Sequence, residues 1–396
     1  IMTTALATAD SRLYEGAAAL KASNWWTFWT VTVPGARYGL ISATFVVFTL
    51  VITDFGVPKV IGGQYNVLAT DIYKQVIGQQ NFRMGAVVGL LLLLPAVLSF
   101  AVDQYVQRRQ SAALSARAVP YEPKPDRAID TFAFIACGLI AAAVLIVIGM
   151  AFFASLATLW PYNLTPSLKN YDFDNMDGGG WQSFYNSLKM AGMTAVVGTA
   201  LVFMGAYLVE KAKGFHTGRF IFQLLALLPL AVPGIVLGLG YIFFFNAPSN
   251  PASFIYGTMA ILVLCTVAHF YSVAHLTAVT ALKQLDQEIE TVSASLRVPF
   301  FRTFLLVTLP VCLPAVLDIA MYLFVNALTT VSAVVFLYAP ETTLASIAVL
   351  NMDDAGDVAP AAAMAMTIFF AATLVRVLYI LLTRSVLGRT QAWRRR

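Results

Sequence analysis

Glu15-Gly-Ala-Ala-Ala-Leu-Lys-Ala-Ser-Asn-Trp-Trp-Thr-Phe-Trp-Thr-Val-Thr-Val-Pro34 and Thr291-Val-Ser-Ala-Ser-Leu-Arg-Val-Pro-Phe-Phe-Arg-Thr-Phe-Leu-Leu-Val-Thr-Leu-Pro310 are two copies of one segment. A shift of 276 residues aligns Ala18 with Ala294, Leu20 with Leu296, Thr27 with Thr303, Phe28 with Phe304, Val31 with Val307, Thr32 with Thr308 and Pro34 with Pro310. Without a gap it also pairs Leu68-Ala69 with Leu344-Ala345 and Arg108 with Arg384. Two long apolar runs follow each copy: 38–56 and 84–104 after the first, 311–337 and 361–383 after the second.

Four more such runs lie between them, at 132–157, 185–209, 220–246 and 254–280. A helix needs roughly 20 apolar residues to cross a hydrocarbon core of about 30 Å. These runs are apolar all round rather than alternating, which favours helices over barrel strands. The expected fold is therefore all-α and polytopic, with about eight transmembrane helices and a parallel internal repeat. The composition agrees: apolar residues make up 59% and charged residues 11% of 396. Soluble domains carry about 25% charged residues, so too little polar side chain is present for a water-facing surface, and an ordinary soluble enzyme or nucleic-acid binder is excluded.

Charge placement orients the chain. The segments 1–37, 105–130, 210–219, 281–310 and 384–396 hold 19 basic residues, and the alternate loops hold 5: Lys59, Lys74, Arg83, Lys169 and Lys189. Cytoplasmic loops collect Lys and Arg. Both repeated segments and both termini are thus expected in the cytoplasm, and the acidic stretches Asp172–Asp177 and Asp353–Asp357 outside. The basic, Pro-bearing stretch 107–130 reads as a linker between a unit at 1–106 and one at 131–396. Four spans precede the second copy and none the first, so the expectation is a chain cut within its first copy.

The repeated segment resembles the EAA loop of ABC-importer permeases: roughly Glu-Ala-Ala-x-x-Leu-Gly, about nine residues, then a hydrophobic residue, x and Leu-Pro. The first copy supplies Glu15, Gly16, Ala17, Leu20, Lys21 and Pro34. The second supplies Ser293, Leu296, Arg297 and Pro310, with Glu290 one position early. Both place a base, Lys21 or Arg297, where the family usually has Gly. The resemblance implies a type I ABC-importer permease in a bacterial inner membrane, with its two loops gripped by a cytoplasmic ATPase dimer and a periplasmic binding protein docking outside. It also implies that ATP and Mg belong to the partner ATPase and that this chain binds no cofactor. None of its nine lysines follows a glycine, as a phosphate-cradling P-loop requires, so hydrolysis is assigned to a separate polypeptide.

A transport path needs polar groups and thinned helices. Pro229 and Pro233 interrupt a run in which Gly234, Gly238 and Gly240 remove side chains, and freed carbonyls are tolerated beside a wet path. Close packing through small residues reads the same run equally well. Asn326, Thr329, Thr330 and Ser332 follow the second loop, and Thr53 and Asp54 stand at the matching places after the first. Polar groups inside spans are costly and often functional, although hydroxyls also bond their own helix. His216, His269 and His275 and the cysteines Cys137, Cys265 and Cys312 lack metal or disulfide spacing and read as packing residues. By similarity, Leu323–Tyr338 and Ala348–Asp357 look most like the 2-aminoethylphosphonate branch of tandem permeases. Ferric iron, thiamine or another small solute is the alternative. A secondary transporter is a rival that predicts ionisable residues at the bilayer midplane.

Overall fold

The computed structural model describes residues 2–7, 9–113, 126–175, 178–211, 214–283, 285, 292–293 and 295–390. Glu290, most of the linker centre and the last six residues lie outside the described residues.

Among the described residues the regular structure is helical apart from one hairpin, β1 (Ala157–Leu159) against β2 (Asn163–Pro166). The first copy contributes α1 (Met2–Ala7), α2 (Ser11–Ala19), α3 (Asn24–Gly35), α4 (Arg37–Thr53), α5 (Gly56–Ile61), α6 (Leu68–Tyr73) and α7 (Phe82–Ala113). Next come α8 (Arg127–Leu156), α9 (Gly180–Lys211), α10 (His216–Leu227), α11 (Gly234–Phe245) and α12 (Met259–Lys283). The second copy ends the chain with α13 (Phe300–Val311), α14 (Leu313–Thr329), α15 (Ala345–Ala355) and α16 (Val358–Thr390). Among the described residues five helices are long and apolar enough to cross a membrane, and up to eight spans result if each of three bent pairs counts as one.

Two expected spans differ from the structure. The run 220–246 is not one straight helix: α10 and the Leu228–Leu230 turn meet α11 at 114°. Pro229 and Pro233 remove two backbone donors there, and the ladder stops. The run 311–337 is helical only to Thr329, and Ser332–Leu337 continue as turns. The hairpin was not anticipated in the sequence.

Small residues set the packing. The strongest pairings are α9 with α12 and with α14, and α4 with α7. A Cβ at Gly198 would stand 2.8 Å from Leu323 Cδ1 and 3.1 Å from Val267 Cγ2, so a larger residue there would push the side chains of α12 and α14 aside. Dispersion between closely approached backbones is a main driving force where lipid and side chain are equally apolar. One core cluster joins Phe55, Ile72, Val76 and Leu92 of the first copy to Ile235, Leu239 and Phe336 of the second half. A second gathers Phe203, Tyr207, Leu282, Ile319 and Leu323 near the repeated loop. By contrast, α8 leaves nearly all its apolar side chains exposed while packing along α16, as a lipid-facing helix does.

Candidate functional site

The described parts of the two loops share one backbone. In the first, α2 ends in a Schellman motif: Lys21 N donates to Ala18 O at 2.9 Å and Ala22 N to Ala17 O at 3.0 Å. In the second, Val298 N donates to Ser293 O at 3.0 Å, the matching bond. The residue that must turn left-handed is Lys21 at φ 54° and Arg297 at φ 53°. The family's glycine position is thus a left-handed position here as well, held by a base at a cost of roughly 1–2 kcal/mol. Each loop then enters a short helix, a single π-helical turn (Phe28–Thr32 and Phe304–Thr308), and a break at Ala36 or Cys312. The breaks bend the chain by 68° and 77°.

Side chains at matching places behave alike. Leu20 is 78% exposed and Leu296 70%, both at the tip. Glu15, Gly16, Lys21, Pro34, Arg297 and Pro310 are exposed, Ala17 is buried and Ser293 half-buried. A hydroxyl contact closes each hairpin: Tyr14 to Thr32 at 3.1 Å in the first, Ser293 with Thr303 in the second.

The candidate path residues divide. Asn326 Nδ2 donates to Tyr322 O at 2.8 Å, Thr329 Oγ1 to Val325 O at 3.1 Å and Thr53 Oγ1 to Thr49 O at 2.8 Å. Each of these groups is occupied by its own helix. Asp54 and Thr330 are the C-cap residues of α4 and α14. The Pro233–Gly234 break differs. A Cβ on Gly234 would stand 2.5 Å from Ser332 Oγ and 3.1 Å from His269 Cε1, and one on Gly238 would stand 2.8 Å from Ala333 O. His269 Nδ1 is buried with no hydrogen-bond partner among the described residues. Sequence reasoning treated this histidine as packing; the signal that finds it is an ionisable residue deep in a span, opposite a Pro-Gly break.

On the side away from the loops the two copies meet. Lys59 Nζ lies 2.7 Å from a carboxylate oxygen of Asp354 and 5.0 Å from the Tyr73 ring centre. Tyr73 stacks on Phe336 at 6.2 Å and leans on Phe55 at 5.2 Å. Burial, then the Asp354 and Tyr338 charges, push the Tyr73 phenol up to about 12. Burial and Asp354 raise the Asp353 carboxyl, and Lys59 partly offsets this.

The twice-used loop, the bent spans and the broken helices are those of a polytopic helical membrane protein. The chain belongs to the family of binding-protein-dependent transport system inner membrane components, whose profile it matches at residues 1–112 and 203–388. It is 29% identical over 349 residues to a putative ferric transport system permease protein, FbpB 1, of Haemophilus influenzae, covering 86% of this chain and 54% of that protein. The ferric transport system permease protein FbpB of Actinobacillus pleuropneumoniae is 28% identical over 363 residues, 90% of this chain and 52% of that one. The chain therefore spans about half the length of these relatives. A putative 2-aminoethylphosphonate permease, PhnV of Salmonella choleraesuis, is 25% identical over 268 residues, 65% of this chain and 95% of its own. A chain of the crystal structure of a bacterial alginate ABC transporter, solved with its alginate-bound periplasmic protein, shares the fold at a TM-score of 0.53 and 12% identity. The match covers 66% of this chain and 96% of that one.

Proposed function

We propose that the chain is the permease of a binding-protein-dependent ABC importer, passing a small polar solute inward while a separate ATPase dimer works its two loops. The observation that carries this reading is the recurrence of one loop geometry at a fixed shift: a left-handed base, a π turn and a sharp break, each copy presenting an exposed leucine at its tip. Two like knobs suit two like grooves, as an ATPase dimer offers. In this reading the loops and termini face the cytoplasm, ATP and Mg sit on the partner, and a periplasmic binding protein docks near Lys59, Asp354 and the β-hairpin. The units are 1–106 and 131–396.

For the solute, the similarity weighs toward a ferric system. The ferric relatives match more of this chain at higher identity than the 2-aminoethylphosphonate relative does. This reverses the preference drawn from sequence, which rested on two short stretches.

The test is reconstitution in liposomes with candidate ATPase and binding protein, reading solute-stimulated ATP hydrolysis and uptake of labelled iron against labelled 2-aminoethylphosphonate. Leu20→Glu and Leu296→Glu are surface changes that leave the helices intact. Each is expected to lower stimulated hydrolysis at least tenfold. Unchanged coupling in both variants overturns the loop assignment.

A further inference from the structure

We propose that the break between α10 and α11 is an oxyanion-binding point, taking the phosphonate or carboxylate groups of the transported solute or its chelator. This rests on the transport reading above and adds a chemical class to it.

Three features converge there. First, α11 is a 12-residue helix whose N-cap, Pro233, supplies no side-chain hydrogen bond. The amides of Gly234 and Ile235 donate to no acceptor among the described residues, whereas Val236 and Leu237 both donate to Pro233 O. A helix start carries about half a positive charge and a set of outward N–H groups, which together favour an anion. Second, Ser332 Oγ and the imidazole edge of His269 both face the Cα of Gly234, within 2.5 and 3.1 Å of where a Cβ would stand. Third, His269 Nδ1 is buried and unpartnered among the described residues. A buried polar group left unmet costs about 1–3 kcal/mol. A ligand oxygen accepting from Nδ1–H, the serine hydroxyl and the α11 amides would remove that cost.

Depth supports the role. His269 lies ten residues into α12, about 15 Å along the axis at 1.5 Å per residue, near the middle of a core of about 30 Å. The sign of the site also constrains the solute. A positive helix end and two donors disfavour a bare ferric ion. Iron that passes this point travels within an anionic chelate, and an aminophosphonate enters with its phosphonate toward Gly234.

The test uses the full chain in lipid nanodiscs with ¹⁵N-labelled histidine. The His269 resonances are identified by their loss in His269→Gln. Methylphosphonate, citrate and, as a cationic control, ethylammonium are titrated in turn. The expected result is a saturable shift with one or both anions, none with ethylammonium, and at least fivefold weaker response in Ser332→Ala. Response to methylphosphonate alone assigns a phosphonate source, and to citrate alone a carboxylate chelator. No response to either anion, an equal response to ethylammonium, or a Ser332→Ala titration matching the parent overturns the proposal. Liposome uptake run in parallel separates the two readings: uptake without an anion response removes the anion site only, and an anion response without ATP-driven uptake removes the transport reading only.

Discussion

The two repeated loops have the same backbone but different support. In the second copy Phe300 and Phe304 stack on Tyr207 of α9, at 4.8 and 4.7 Å between ring centres. In the first copy the ring contacts of the matching Phe28 among the described residues are with its neighbours Trp25 and Trp29, and all three are exposed. Even so, the left-handed turn, π turn and break recur at the same places. The loop's shape is therefore set locally, by its own caps and small residues, while its anchoring is set by what packs beneath.

A second contrast sharpens this. In the first copy Ser42 of α4 donates to Asp103 of α7. At the matching places in the second copy Tyr379 of α16 donates to Asp318 of α14. The acid and the hydroxyl have exchanged helices, and the bridge between post-loop helix and final helix persists.

The largest expected effect tests anchoring. Tyr207→Ala removes a fully buried ring and is expected to cost about 3–5 kcal/mol, with faster amide exchange around 300–308 and no change around 24–32. Equal loosening of both loops breaks the proposed distinction. Next, Asp103→Ala removes a buried acid, 4% exposed, and should cost about 1.5–3 kcal/mol. The more exposed Asp318→Ala should cost about 1 kcal/mol. The exchange Asp318→Ser with Tyr379→Asp imports the first copy's arrangement and should recover stability relative to either single change, as read in a double-mutant cycle. Additive losses would show that the bridges are not equivalent. Smaller still, Lys21→Gly and Arg297→Gly relieve a left-handed side chain and should raise stability by about 0.5–1 kcal/mol each, seen as a higher Tm. A loss at one position would mean that its base makes a contact the other lacks.

The smallest effect is pH-dependent. Asp353 has a raised folded-state pKa, so the folded chain holds that proton more tightly than the unfolded one. Its contribution is favourable at low pH and is lost as pH rises through the raised value. Asp353→Asn should flatten that decline and add no more than about 0.5 kcal/mol at pH 7. A steeper decline would contradict the assignment.

Much of the helical plan was legible because its signal is local. Runs of about 20 apolar residues mark most spans, and the shift that aligns Pro34 with Pro310 also aligns Arg37–Thr53 with Leu313–Thr329, residue for residue. The breaks were harder. Pro229 and Pro233 announce a kink, but hydropathy does not distinguish a kink from a 114° reversal. The end of α14 at Thr329 was hidden because Ala333–Leu337 are apolar for another reason: they form turns buried against Gly238 and the first copy. The polar residues near that end are no easier to read. Asn326 and Thr329 spend their donors on their own helix, which composition cannot reveal. The place of His269 opposite Gly234 is equally hidden in the sequence, because that contact is set by tertiary packing.

The bases at Lys21 and Arg297 have a consequence beyond backbone geometry. Each stands just past the C-terminal end of a short helix, where the peptide dipoles leave about half a negative charge. A cation there recovers about 0.3–1 kcal/mol of what the left-handed conformation costs, and salt screens that recovery. The loop tips are thus ionic-strength sensors in miniature: glycine should gain most over lysine or arginine in concentrated salt and least in dilute buffer.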